Sequence, residues 1–208
     1  MNYVGVDLHK EQSWFVVLDS KGKRLISKSI ANSPEGLKQY FAEMPKPFTL
    51  AVESTYNWYF FVNLAEQYAE KVYLANSYEL KAFAKRHKKT DKIDAHLIAE
   101  VLRKGYLPTV TIPDQETRRI KELLRYRMNL VKDRSKNIFQ VKALLDKMGE
   151  DSNGDFTTYK RLKALPLDIF PPNYREIIQG YSERIEFLTR RLFQIEKYIQ
   201  ENVGLPSF

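Results

Sequence analysis

The stretch YVGVDLHKEQSWFVVLDSKGKRLISKSI, Tyr3 to Ile30, decides how the chain is read. Tyr3–Leu8 is a short apolar run, Ser13–Leu18 is rich in aromatic and β-branched residues, and Arg24–Ile30 alternates. Asp19-Ser20-Lys21-Gly22, between the second and third runs, has the chemistry of a tight turn. The pattern predicts a three-stranded antiparallel meander.

Outward from it, helices and strands alternate. Ser33-Pro34-Glu35-Gly36 opens a helix to about Met44, which Pro45 and Pro47 end. Phe48–Glu53 reads as a buried strand, Trp58–Ala69 as a helix and Lys71–Ala75 as another strand. Ser77 is placed to cap a helix over Tyr78–Arg86, and a further helix is expected over Lys92–Lys104. A hairpin meander followed by this alternation predicts an α/β fold. The order matches the ribonuclease H-like (RuvC-like) layout, so a mixed sheet with helices on both faces is expected over residues 1–110.

The second half reads as helix. Over 111–150, Ile120, Leu124, Met128, Val131, Ile138, Val141, Leu145 and Met148 mark one long amphipathic helix with Arg and Lys on its outer faces. Residues 151–173 read as a linker. Over 174–203, Ile178, Tyr181, Ile185, Leu188, Leu192, Ile195 and Ile199 alternate spacings of three and four. That is a heptad seam, suited to a coiled coil that joins copies of the chain through 178–199 or to a hairpin with the preceding helix.

The 208 residues carry 34 Lys and Arg against 26 Asp and Glu, a net +8, and no cysteine. Disulfides, thiolate metal sites and Cys nucleophiles are thereby excluded. With only three histidines, a multi-histidine metal site is close to excluded. No apolar run is long enough to span a membrane, and the first residues enter a strand directly, so a cytoplasmic, nucleoid-associated protein without a signal peptide is expected. The charge is regional: residues 81–147 hold 18 basic and 8 acidic groups, an excess of +10, and the rest is near neutral. Such confinement predicts a phosphate-binding surface, with Lys85, Arg86, Lys88, Lys89, Lys92, Arg118, Arg119, Arg125, Arg127, Lys132 and Arg134 as candidate nucleic-acid contacts.

Four acids fall where chemistry can use them. Asp7 ends the first strand, Glu53 ends the fourth, and Asp91 and Asp94 stand three apart at the start of a helix, on one face. In the expected layout the first and fourth strands are neighbours, and a helix laid over them would gather all four carboxylates. A cluster of like charges calls for cations, and hard oxygen ligands suit one or two Mg²⁺, or Mn²⁺ in their place. Two such ions about 3.5–4 Å apart are the arrangement used for phosphodiester cleavage. The bland readings are a helix cap for Asp91 and turn residues for the others. His9 and His96 flank the acids and are expected to support the site from its margin rather than to act as ligands. Trp58, Tyr59, Phe60 and Phe61 are expected to pack a helix on the sheet.

At Gly5-Val6-Asp7-Leu8-His9-Lys10, Val52-Glu53-Ser54-Thr55 and Lys89-Thr90-Asp91-Lys92-Ile93-Asp94-Ala95 the chain resembles the IS110/IS1111, or DEDD, transposases. The resemblance covers about residues 3–148, and the family's coiled coil agrees with the heptad helix. It implies that Asp7, Glu53, Asp91 and Asp94 are the catalytic, metal-binding tetrad of a DNA transposase that acts as an oligomer. It also implies DNA and a structured guide (bridge) RNA as partners. Members continue into a C-terminal domain with a nucleophilic serine. No match to that serine motif occurs up to Phe208, so an N-terminal portion is expected. The other readings are a non-catalytic module that binds nucleic acid and dimerises, and a stand-alone Holliday-junction-type nuclease, for which the tetrad alone suffices.

Overall fold

A computed structural model describes residues 1–83, 90–153, 156, 162 and 164–204. The chain divides into two compact units, Met1–Ile112 and the residues from Pro113 onward.

In the first unit β1 (Asn2–Leu8), β2 (Gln12–Leu18) and β3 (Arg24–Ala31) form the expected meander. Gly22, at φ +84°, closes the second turn, where the Asp19 side chain accepts from the amides of Lys21 and Lys23. Helix α1 (Pro34–Glu43) starts from Ser33, whose hydroxyl caps the Gly36 amide at 3.1 Å. After it come β4 (Phe48–Glu53), α2 (Trp58–Ala65) and β5 (Lys71–Ala75). The short α3 (Ser77–Leu80) is capped by Asn76 rather than Ser77, because the Asn76 side-chain Oδ1 accepts from the amides of both Tyr78 and Glu79. It runs into a 3₁₀ turn, Lys81–Phe83. Helix α4 (Asp91–Arg103) follows, and then a two-residue β6 (Thr109–Val110) too short to be read from sequence.

The sheet order is β3-β2-β1-β4-β5-β6, with β1, β4 and β5 parallel and the other pairings antiparallel. The ribonuclease H-like reading therefore holds, and the first and fourth strands are neighbours. Alternation along the strands separates two faces. On one, Val4, Val6, Leu8, Phe15, Val17, Phe48, Leu50 and Val52 bury against α1 and α2 through Phe41, Phe61 and their neighbours. Each such fully buried side chain contributes about 1.5–3 kcal/mol. On the other face Val16, Leu18, Ala51 and Ala75 lie under α4, whose Ala95, Ile98, Ala99 and Leu102 are buried. Asp7 and Glu53 belong by parity to this α4 face.

In the second unit α5 (Gln115–Lys147) begins at Asp114, whose side chain accepts from the Thr117 amide at 2.7 Å, and α6 (Pro172–Val203) ends at Gly204, φ +68°. Early α5 meets late α6, with Leu130 packed on Leu192, Ile195 and Ile199. Late α5 meets early α6, where Ile138, Val141 and Leu145 pack on Ile178 and Ile185. The pair is an antiparallel hairpin. Of the two arrangements expected for the heptad seam this is the hairpin, with α5 of the same chain packed on Ile178, Ile185, Leu192, Ile195 and Ile199. The segment read as a linker contributes buried Phe156, Leu162 and Phe170 to the same core. Met128, read as part of the apolar stripe, is 52% exposed. Among the described residues no helix is long and apolar enough to cross a membrane.

Candidate metal centre

The last paired residues of β1 and β4 are Val6 and Val52. Asp7 and Glu53 stand one step beyond, at adjacent strand ends. Thr90 caps α4 through its hydroxyl and the Ile93 amide, so Asp91 and Asp94 fall in the first turn, above those ends. Gly5 permits the approach. A Cβ built there would lie 2.1 Å from the Ala95 carbonyl oxygen and 2.4 Å from the Ala99 amide nitrogen, so α4 rests directly on the β1 backbone.

The four acids predicted from sequence share one open cavity of about 440 Å³, lined by Asp7, Leu8, His9, Glu53, Thr55, Thr90, Asp91 and Asp94. Asp7 is the buried one of the four acids, 6% exposed. The His9 ring enters between two acids, with Nε2 3.2 Å from Asp7 Oδ2 and 3.4 Å from Asp91 Oδ1. One atom from each of Asp7, His9 and Asp91 lies within 4.8 Å of the other two. Burial pushes the Asp7 carboxyl up to about 6; His9 opposes the rise, and Asp94, Asp91 and Glu53 add to it. The donor set is mostly hard carboxylate oxygen, crowded and negatively charged, which fits Mg²⁺ or Mn²⁺. His96 is half-buried and lies outside the cavity's described lining.

Sequence reasoning missed the polar frame behind these acids. The His9 carbonyl accepts from Asn32 Nδ2 and from Asn57 Nδ2, each at 2.7 Å. Asn57 stands at the N-cap of α2 yet makes no capping bond. From sequence alone such an asparagine reads as a cap.

The basic candidates separate. Lys85, Arg86, Lys88 and Lys89 lie outside the described residues. Lys92, Arg119, Arg125 and Lys132 are exposed, although Arg119 and Arg125 also pair with Glu116 and Glu122. Arg134 is half-buried. Two candidates are held by partners within the chain. Arg118 is 6% exposed, and its Nε donates to the Pro113 carbonyl at 2.7 Å. Arg127 is bound by Glu196 at 2.6 and 2.8 Å across the hairpin. Both guanidiniums are engaged within the chain in this structure. Arg103, also in the basic stretch, is likewise committed: its bonds, with help from Lys104, hold the Glu100 carboxyl down to about 2.

Residues 4–149 match the DEDD family of IS110 type, described as Transposase. A transposase for insertion sequence element IS1328 from Yersinia enterocolitica is 25% identical over 202 residues, covering 97% of this chain and 59% of that relative's length. The chain thus spans little more than half of the curated relative it matches. A RuvC structure from Thermus thermophilus aligns with a TM-score of 0.38 and 15% identity, covering 53% of this chain and 100% of that one.

Proposed function

Since the chain belongs to the IS110-type DEDD transposases, we propose that its carboxylate cavity is a divalent-metal site for cutting DNA strands. The observation that carries this reading is the single cavity shared by Asp7, Glu53, Asp91 and Asp94. Asp7 and Glu53 form the floor from the strand ends, and Asp91 and Asp94 close the site from the first turn of α4. The positive end of the α4 dipole eases the crowding of carboxylates there. A divalent ion, when bound, supplies an activated water or hydroxyl and neutralises charge on the leaving oxygen. The chain's residues hold and orient, and Lys92, exposed between the two acids of α4, faces solvent where a polyanion would approach. The partners in this reading are DNA and a structured guide RNA, in a cytoplasmic, nucleoid-associated setting. Complete strand exchange, and any oligomer that performs it, belongs to this proposal as well.

The test is cleavage of branched or element-end DNA by the purified chain in Mg²⁺ or Mn²⁺. Metal-dependent cutting is expected, with Asp7→Ala or Asp94→Ala lowering the rate by at least about 10²-fold, a few kcal/mol of lost charge stabilisation. Binding without cutting at every metal concentration would replace this reading with that of a nucleic-acid-binding module.

Nucleic-acid affinity is expected to fall steeply with salt. Lys92→Ala and Lys132→Ala should each reduce the slope of log K against log salt by about 0.9, and Arg118→Ala should leave it unchanged. Titrations at several salt concentrations measure this. A slope near zero for the parent chain would remove the electrostatic role of the basic stretch.

A further inference from the structure

Beyond Val6 and Val52 the ladder between β1 and β4 stops, yet both floor carboxylates lie past that point. Past that point Asp7 stays paired only with β2, opposite Trp14, and Glu53 only with β5, opposite Ala75. After Glu53 the backbone turns toward β5, where the Ser54 amide donates to the Ala75 carbonyl and the Ser54 and Ser77 hydroxyls meet at 3.0 Å. After Leu8 the chain turns back through His9–Glu11 into β2. A direct tie between these two strand ends would fix the spacing of Asp7 and Glu53 beyond what the separate ladders set.

The His9 carbonyl is that tie. It accepts from Asn57 Nδ2 at 2.7 Å, linking the β1 tip to the loop that follows Glu53, and from Asn32 Nδ2 at 2.7 Å, linking it to the loop before α1. Both amides have their orientation set from behind. Asn57 Oδ1 accepts from the Thr55 hydroxyl at 2.9 Å, and Asn32 Oδ1 accepts from the fully buried Ser13 hydroxyl at 2.7 Å. Each amide thus presents its NH₂ to the carbonyl and has its oxygen satisfied. The Asn32 amide nitrogen also donates to the Glu11 carbonyl at 2.9 Å, pinning the far side of the same turn. Asn57 could cap α2 from its position and does not, so its side chain serves the β1 tip in place of the helix.

We propose that Asn32 and Asn57 are positioning residues. They clamp the His9 carbonyl and thereby hold the Asp7 and Glu53 ends, with the His9 ring between Asp7 and Asp91, in the spacing that binds a divalent cation. The proposal rests on the metal-site reading above. Supporting groups behind metal ligands are typically worth 10–100-fold in metal affinity. The clamp acts on two loop tips outside the sheet ladder and the cores, so its removal spares most of the fold.

The experiment is calorimetric titration of the full chain with Mn²⁺, run on the parent, Asn57→Ala, Asn32→Ala, Thr55→Val and Asp7→Asn, with thermal melts in EDTA alongside. Both alanine variants should bind Mn²⁺ about 10-fold or more weakly. Their Tm in EDTA should fall by no more than about 10 °C, the scale of the two side-chain hydrogen bonds each asparagine makes. Thr55→Val keeps the shape of the side chain and frees the Asn57 amide to rotate, while also removing a hydroxyl from the cavity wall, so a loss of affinity smaller than that of Asn57→Ala is expected; it also remains a test if an alanine variant fails to fold. Parent-like Mn²⁺ affinity in Asn57→Ala and Asn32→Ala, or in Thr55→Val where those do not fold, would overturn the clamp. Affinity lost only in step with a collapse of the EDTA melt would overturn it too, assigning the pair to the fold alone. If the parent binds no Mn²⁺, or Asp7→Asn binds it equally well, the metal-site reading itself falls and takes the clamp with it.

Discussion

Asp7→Asn is expected to stabilise the metal-free protein at pH 8 while removing its capacity to hold a divalent cation. The Asp7 carboxyl is 6% exposed, and burial, with Asp94, Asp91 and Glu53 nearby, raises it from 3.8 to about 6. A group raised in the folded state favours folding when protonated. Its contribution is therefore full below about pH 4 and is lost as pH rises through about 6. At pH 8 the folded chain holds this carboxylate ionised, at a cost of about 3 kcal/mol for a shift near two units. Asparagine has the same shape and no charge. Allowing for the lost contact to His9, a net gain of about 1–2 kcal/mol at pH 8 in EDTA is expected, several degrees in Tm. The variant's advantage should shrink toward pH 4, because the parent is then neutral at this position. Addition of Mn²⁺ should reverse the ranking, since only the parent gains the binding free energy. Melts at pH 8 and pH 5, with and without Mn²⁺, measure all of this. A variant less stable than the parent in EDTA at pH 8 would sink the view of Asp7 as a strained, cation-requiring carboxylate.

The meeting of the four acids was legible because it follows from short-range patterns combined with one layout. Alternation puts Asp7 on the face opposite Val6 and Glu53 on the face opposite Val52. The spacing of Asp91 and Asp94 needs only a helix to share a side. Neighbouring first and fourth strands do the rest. Interactions of high sequence separation were hidden. The partner of Arg127 is Glu196, on another helix, and nothing near Arg127 distinguishes it from the exposed Lys132. The heptad of α6 defines an apolar stripe but is silent about what covers it, so a hairpin within one chain and an oligomer have the same sequence signature. Asn57 illustrates a third kind of blindness. Its type and place match a helix cap, and only the direction of its amide, toward a carbonyl 48 residues earlier, gives it another task.

Gly5→Val, finally, is expected to cost more than any single loss of a ligand, because it acts on the contact that brings the ligands together. The atoms that would meet a new Cβ, the Ala95 carbonyl oxygen at 2.1 Å and the Ala99 amide nitrogen at 2.4 Å, are backbone atoms of α4 and have no rotamer to change. Even Gly5→Ala adds the colliding carbon, and valine adds two more. Relief requires α4 to lift by about 1 Å or more, since carbon contacts settle near 3.5–4.0 Å. Lifting opens the packing of Ile98, Ala99 and Leu102 on the sheet and carries Asp91 and Asp94 away from Asp7. A loss above about 3 kcal/mol is expected for Gly5→Val, at the upper end of overpacking, and a smaller one for Gly5→Ala. Trimming the opposing side chain with Ala99→Gly should rescue neither, because the obstruction is main chain. Denaturant unfolding and Mn²⁺ titration of the two variants, each with and without Ala99→Gly, check the claim. Rescue by Ala99→Gly, or a Gly5→Ala variant with parent-like stability and Mn²⁺ affinity, would show that α4 has slack over β1. The spacing of the carboxylates would then have to be set elsewhere than at this glycine.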